Sequence, residues 1–180
     1  MMNHVRNNVY IAHLGPRESQ PTHIVIAKMA RGPQEMQDLG REAECYSNEL
    51  LTLQGVTVPH YYGFYRSKKH GADIGCLLLE YCSGFIPSTE QEMIDNNRAK
   101  VMAVRKLHEA GLRHGNLHPR HFVRMEDGMR IVDFSMAVRH KCSISLGVGS
   151  NGSQGESTVP QCEELAQINK AFGPGADTGY

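Results

Sequence analysis

Neither sign of charge is in excess in this chain: 19 Lys and Arg balance 19 Asp and Glu over 180 residues. A neutral chain offers no general field that would draw in nucleic acid, so a nucleic-acid partner is not expected. Paired cysteines are missing too. Cys45, Cys76, Cys82, Cys142 and Cys162 form no CxxC pair, and an odd count leaves one over in any disulfide scheme. Free thiols in a reducing compartment are the simpler reading. The opening MMNHVRNNVY lacks the apolar core of a signal peptide, and no run approaches the roughly 20 apolar residues of a membrane span. The expectation is a soluble intracellular protein, cytoplasmic or nuclear, with no membrane partner.

What is present is concentrated between His114 and Ser135, HGNLHPRHFVRMEDGMRIVDFS. Phe122-Val123 and Met129 to Val132 read as strands around the turn Glu126-Asp127-Gly128, and an Asp-Gly step between apolar runs is a strong hairpin signal. Asp133 follows the second strand directly, where a carboxylate can be aimed into a cleft. Upstream, HIVIAKM (23–29) is the best strand of the amino-terminal half, with β-branched residues at 24 to 26. Two readings are open for its lysine, Lys28. It is an edge-strand lysine that blocks aggregation or snorkels to water, or it is a charge held for a ligand.

Leu39, Ala43, Tyr46, Leu50 and Leu53 recur at helical spacing, so Glu35 to Gln54 is expected to be one helix, with Pro33 near its start and Gly55 after it. Glu42 sits at the margin of the apolar stripe; Glu44 takes its place if the register is off by one. Runs around 61–67 and 74–82 read as a hairpin, and Arg98 to Ala110 as a helix stopped by Gly111. His108 reads as a helix-end or core histidine. His114, His118 and His121 invite a zinc reading, but their spacing matches neither HExxH nor a Cys-His finger, and Pro119 precludes a regular helix to align them. From Cys142 on, the composition turns Gly/Ser-rich. Residues 143–161 read as flexible, 162–172 as one short helix and 173–180 as a disordered tail.

The order of these features resembles the protein kinase-like superfamily, including the small-molecule phosphotransferases whose loop reads His-Gly-Asp-Leu, and especially compact kinase-like proteins of fungi. His114-Gly115-Asn116-Leu117 is similar to the catalytic loop and Asp133-Phe134-Ser135 to the metal-binding DFG segment. Ile26-Ala27-Lys28 is similar to the strand that carries the phosphate-gripping lysine. The resemblance implies an α+β fold, a truncated two-lobed kinase-like domain over 8–142. Its amino-terminal lobe would span about 8–80 and its reduced carboxy-terminal lobe about 83–142. A small mixed sheet would carry Lys28, and Glu42 would be its partner. Glu80, Tyr81 and Cys82 would form the hinge that receives adenine. Asp133 would bind Mg2+, with ATP as the cofactor.

Two polar positions depart from the pattern. Asn116 stands at the catalytic Asp position, and His121 at the position of the metal-ligating Asn. Asn116 is a very poor base, although it can orient a hydroxyl, and His121 would be a poorer host for magnesium than an oxygen donor. No GxGxxG precedes Lys28, and little chain remains for a substrate platform. The implied function is a degenerate, pseudokinase-like domain that binds ATP weakly or serves as a protein-interaction module. The alternative is an active ATP-dependent phosphotransferase acting on a protein or a small hydroxyl substrate.

Overall fold

A computed structural model describes residues 2–6, 8–15, 23–69, 71–142 and 162–173. The chain is a mixed α+β protein. Strands β1 (Met2–Arg6), β2 (Val9–Leu14), β3 (His23–Arg31), β4 (Tyr61–Lys69) and β5 (Ala72–Glu80) form one sheet in the order β1-β2-β3-β5-β4. Every neighbouring pair is antiparallel, which corrects the expected mixed sheet: successive neighbours run in opposite directions, so none of these pairs needs a parallel crossover. The amino-terminal strand β1, MNHVR, was not expected; it occupies one edge of the sheet.

Alternation sorts the side chains of β3 and β5 between two faces. Leu77 and Leu79 are buried on one face with Ala30, while Val25 and Ala27 pack with Ala12, Cys76 and Leu78 on the other. Lys28 is in register with Leu77, so its side chain leaves the sheet on the face of the main core.

Helix α1 (Gly32–Ser47) covers that face through Leu39, Ala43 and Tyr46. Pro33 sits in its first turn, where the missing N–H costs nothing, and Glu35 accepts from the Arg31 N–H at 2.9 Å. Helix and sheet approach closely at Gly75, where a Cβ would lie 2.5 Å from the Met36 sulfur. The expected helix over 35–54 ends early. The Asn48 side chain donates to the Glu44 carbonyl at 2.8 Å, and Gln54 donates to the Tyr46 carbonyl at 2.8 Å, so side chains take the carbonyls that further helix would have used. The apolar spacing continues through a 3₁₀ turn at Leu51–Leu53 instead.

Helix α2 (Glu90–Glu109) begins well before the expected Arg98, because Thr89 and Glu92 form a reciprocal capping box, each side chain accepting from the other's backbone at 3.2 Å. After α2 come β6 (Leu112–Arg113), β7 (Phe122–Met125), β8 (Gly128–Ile131) and β9 (Val138–Arg139), with β7 and β8 forming a hairpin and β6 pairing with β9. The turn is shorter than Glu126-Asp127-Gly128, since Gly128 pairs with Met125. Helix α3 (Glu163–Phe172) packs on α2, placing Leu165 and Ile168 in the same core as Val104, Leu107, Ile131 and Phe134. The folded body therefore takes in elements on both sides of 8–142. Residues 143–161, expected to be flexible, and 174–180 of the expected tail lie outside the described residues. Among the described residues, no helix is long and apolar enough to cross a membrane.

Candidate functional site

Three elements distant in sequence bring their charges together. The Lys28 ammonium on β3 donates to Glu42 Oε1 on α1 at 2.7 Å and to Asp133 Oδ1 after β8 at 3.1 Å. Glu42 is 2% exposed and accepts a second hydrogen bond, from the Phe134 N–H at 3.1 Å. One carboxylate thus ties the sheet, the helix and the 133–135 segment at a single point. Glu44 is solvent-exposed and faces away from Lys28. Burial works to lower the Lys28 pKa, but the carboxylates of Glu42 and then Asp133 outweigh it and hold the group above its ordinary value. For Asp133, burial pushes the pKa up, and the Lys28 charge and hydrogen bond, with Ser135 and His121, bring it below the usual aspartate value. Both groups are therefore charged at neutral pH.

Asp133 has φ 72°, the left-handed region that non-glycine residues visit rarely. Backbone held there by its surroundings is a feature of sites where a side chain must be aimed. Here it turns the carboxylate toward Lys28 while the following Phe134 is buried. Phe134 belongs to a column of rings: Tyr46 lies edge-on to it at 5.4 Å, His114 at 5.2 Å on its other side, and His121 stacks on His114 at 5.5 Å. The column links α1 to the 114–121 loop through the core.

The loop itself is tightly specified. His114 is fully buried and its Nε2 meets the Val132 carbonyl at 3.1 Å; burial lowers its pKa, against the Val132 contact and the Glu164 charge, so it is neutral at pH 7. Gly115 has φ 77°, and a Cβ there would lie 2.5 Å from the Met136 carbonyl oxygen, so only glycine fits. The N–H groups of His114 and Gly115 both donate to Glu164 of α3, at 3.0 and 2.8 Å. Glu164 was not singled out by its sequence, because a helix carboxylate shows no sign of the loop it will reach 50 residues away.

Asn116 is exposed beside this loop. His121 is buried, with Nδ1 donating to the Asn116 carbonyl at 2.8 Å and Nε2 accepting from Arg120 Nε at 3.1 Å. Those two contacts hold the imidazole ring in one orientation. Its Nε2 lies 3.4 Å from Asp133 Oδ2, so the two donors could share one ion only if Arg120 gave up its hydrogen bond.

The triad lines a cleft of about 580 Å3 between the sheet and the β7–β8 hairpin, whose walls include Val5, Asn8, Ile26, Leu79, Cys82 and Val123. This volume is ordinary for a small-molecule site. Glu80 lines it as well, but its carboxylate is engaged by the His60 N–H at 3.0 Å; Tyr81 is not among the lining residues, nor is Asn116. The chain from 81 to 88 takes no helix or strand conformation. Burial, with Glu80 adding to it, pushes the Cys82 thiol up to about 12, so that thiol is no nucleophile at neutral pH. Val5 near the end of β1 and Asn8 before β2 line one side of the cleft, and Asn8, at φ 64°, is a left-handed residue. A wider groove of about 800 Å3 lies across α1 and β4, but its Arg41, Glu44, Arg66 and Lys68 are all solvent-exposed. The cleft with the Lys28–Glu42–Asp133 triad, anchored on buried Glu42, is the better candidate. Compared with known proteins, the chain matches no family model and no curated protein.

Proposed function

We propose that the chain is a reduced two-lobed kinase-like domain, a pseudokinase-like member that holds ATP weakly in the cleft and does not transfer phosphate at a useful rate. One observation carries the reading: Lys28 is clamped between Glu42 and Asp133, 14 and 105 residues away, at the wall of a cleft of nucleotide-compatible size. A lysine on the third strand paired with a glutamate on the next helix, opposite an aspartate that follows a strand end, is the constellation phosphotransferases use to hold nucleotide phosphates and their metal.

The residues present fit a nucleotide better than they fit a full metal site. Lys28 would exchange Asp133 for phosphate oxygens while Glu42 kept it in place, and Asp133, freed from Lys28, would hold magnesium. Beside Asp133 Oδ2 lies the His121 nitrogen, already taken by Arg120, and magnesium prefers oxygen. The β1–β2 turn offers Asn8 where backbone donors would otherwise wrap phosphates. Weak affinity follows. When bound, the magnesium nucleotide would supply an electrophilic phosphoryl group; the chain's own contribution to transfer is Asn116, which can orient a hydroxyl and cannot take its proton. The exposed rim around Asn116 is where a protein partner or a small hydroxyl substrate would approach.

Calorimetric titration with ATP and magnesium, on wild type and Asp133→Asn, tests this. The expected result is weak binding to wild type and clearly weaker binding to the variant. Equal heats for both would remove Asp133 from the site, and no binding to wild type at millimolar ATP would leave a purely protein-interacting role.

A further inference from the structure

A second cluster lies behind the 114–121 loop. His108 in the last turn of α2, His140 and Cys142 just after β9, and Cys162 at the start of α3 present four ligand atoms that all lie within 4.8 Å of one another. The geometry points to a structural zinc site made by His108, His140, Cys142 and Cys162. This rests on the side chains alone and is independent of the nucleotide reading.

Four observations converge on it. The donor set is two sulfurs and two imidazoles, the closed four-coordinate set that zinc takes in structural sites. Cys162 Sγ lies 3.6 Å from His108 Nδ1, and a tetrahedral zinc with bonds of about 2.3 Å to sulfur and about 2.0–2.1 Å to nitrogen sets that edge at about 3.5–3.6 Å. His140 Nε2 is buried with no hydrogen-bond partner among the described residues, a cost that a ligand bond would remove. Finally, His108 Nε2 lies 2.7 Å from Glu164 Oε2. A carboxylate on the far nitrogen leaves Nδ1 as the ligating atom and sets its tautomer, the usual outer support of a metal-bound histidine.

The backbone holds three of the four in place without the metal: β9 pairs with β6, the His140 N–H donates to the Gly111 carbonyl at 2.8 Å, and Cys162 is the first residue of the α3 cap. With every pair already within 4.8 Å, closing onto tetrahedral edges of about 3.3–3.8 Å needs side-chain movements of no more than about 1.5 Å. Binding Zn2+ displaces one proton from each thiol, two in all, and the two thiolates balance the ion's charge. The zinc would pin α3 to α2 and, through Glu164, brace the backbone of His114 and Gly115. The four residues come from three separate parts of the chain, which is why the spacing, unlike a finger's, gives no sign of the site.

The test is a cobalt titration of the full chain, stripped with chelator and kept reduced. The expected result is saturation at one equivalent, with the intense visible bands of tetrahedral Co2+ and a near-ultraviolet sulfur-to-cobalt band, all discharged by Zn2+. At a hundredfold excess over its dissociation constant, zinc should raise the melting temperature by about 5–10 °C. Joint Cys142→Ser and Cys162→Ser substitution should abolish the sulfur band, while Cys45→Ser leaves it intact. Glu164→Gln should weaken cobalt binding about 10–100-fold with the band shape retained. Absence of tetrahedral bands in reduced wild type would overturn the assignment, whatever the variants do; so would a sulfur band that survives the double substitution.

Discussion

Replacing Lys28 by Met should destabilise the fold strongly at neutral pH and much less in mild acid. Lys28 is largely buried and Glu42 is 2% exposed. At an effective dielectric of about 20, contacts of this length are worth about 5–6 kcal/mol gross each, and most of that repays the desolvation of the charges. Removing the lysine leaves the Glu42 carboxylate buried with, among the described residues, the Phe134 N–H as its remaining donor. Asp133 is about a third exposed and can turn to water, so Glu42 carries the penalty. That penalty has a ceiling, since a carboxyl can be protonated instead. From an unfolded-state pKa of about 4.3, protonation costs about 3.7 kcal/mol at pH 7 and about 1.6 kcal/mol at pH 5.5. Lys28→Met should therefore lose about 3 kcal/mol at pH 7 and no more than about 1.6 kcal/mol at pH 5.5. The assay is urea unfolding followed by far-ultraviolet circular dichroism. With an m-value of about 2–3 kcal/mol/M, the midpoint should fall by about 1–1.5 M at pH 7. Adding Glu42→Gln should recover most of the loss, because the amide oxygen still accepts from Phe134 and no buried charge remains. A Lys28→Met loss below about 0.5 kcal/mol, or an equal loss at both pH values, would refute the buried-charge argument.

Three other outcomes follow from the same geometry. Arg130, 2% exposed, donates to the Val56 carbonyl and to Asp127 at 2.7 Å each and also to the Gly55 carbonyl, so Arg130→Lys should cost about 2 kcal/mol in urea unfolding; an unchanged midpoint would count against the hairpin being tied to the 55–57 segment. His114, faced by Glu164, His121 and Asp133, has its pKa lowered by burial. Its contribution is therefore complete above the unfolded value of about 6.5 and is lost as pH falls below it, because the unfolded imidazole takes a proton that the folded one refuses. The stability gap between wild type and His114→Gln should narrow below pH 6.5, and a gap constant from pH 8 to 5 would contradict this. Joint Asn116→Asp and His121→Asn substitution should raise ATP turnover and phosphate transfer, since it restores a carboxylate for the hydroxyl and an oxygen for the metal. Robust wild-type turnover that drops in the double variant would transfer the case to a working phosphotransferase.

The parts legible in the sequence are those where side-chain type follows from burial. Lys28 stands out because it interrupts the apolar run of β3, and Asp133 because it follows one. Glu42 and Glu44 lie two residues, about 200°, apart around a helix, and the apolar stripe settles between them once α1 is seen to bury Leu39, Ala43 and Tyr46. The start of α2 was also written in the chain, as Thr89-x-x-Glu92, but the polar residues after it masked the helical spacing. The early end of α1 was not readable: it depends on Gln54 reaching back to Tyr46, a contact with no periodicity. Strand β1 was not readable because MNHVR shows no alternation of apolar and polar residues. Glu164, and the assembly of His108 and His140 with Cys142 and Cys162, arise from α3 packing on α2, and long-range packing leaves no local mark in sequence.

The central claim is that the Lys28–Glu42–Asp133 cleft is a nucleotide site. Backbone amide NMR of the full chain, titrated with magnesium ATP, tests it most directly because it reports where binding occurs. Shifts concentrated at Asn8 and Val9, at Lys28 and Met29, at Cys82 and from Val132 to Ser135 are predicted, moving in fast exchange as weak binding requires. Spectra that stay unchanged at millimolar ATP, or shifts confined to the Arg41, Arg66 and Lys68 groove, would contradict it.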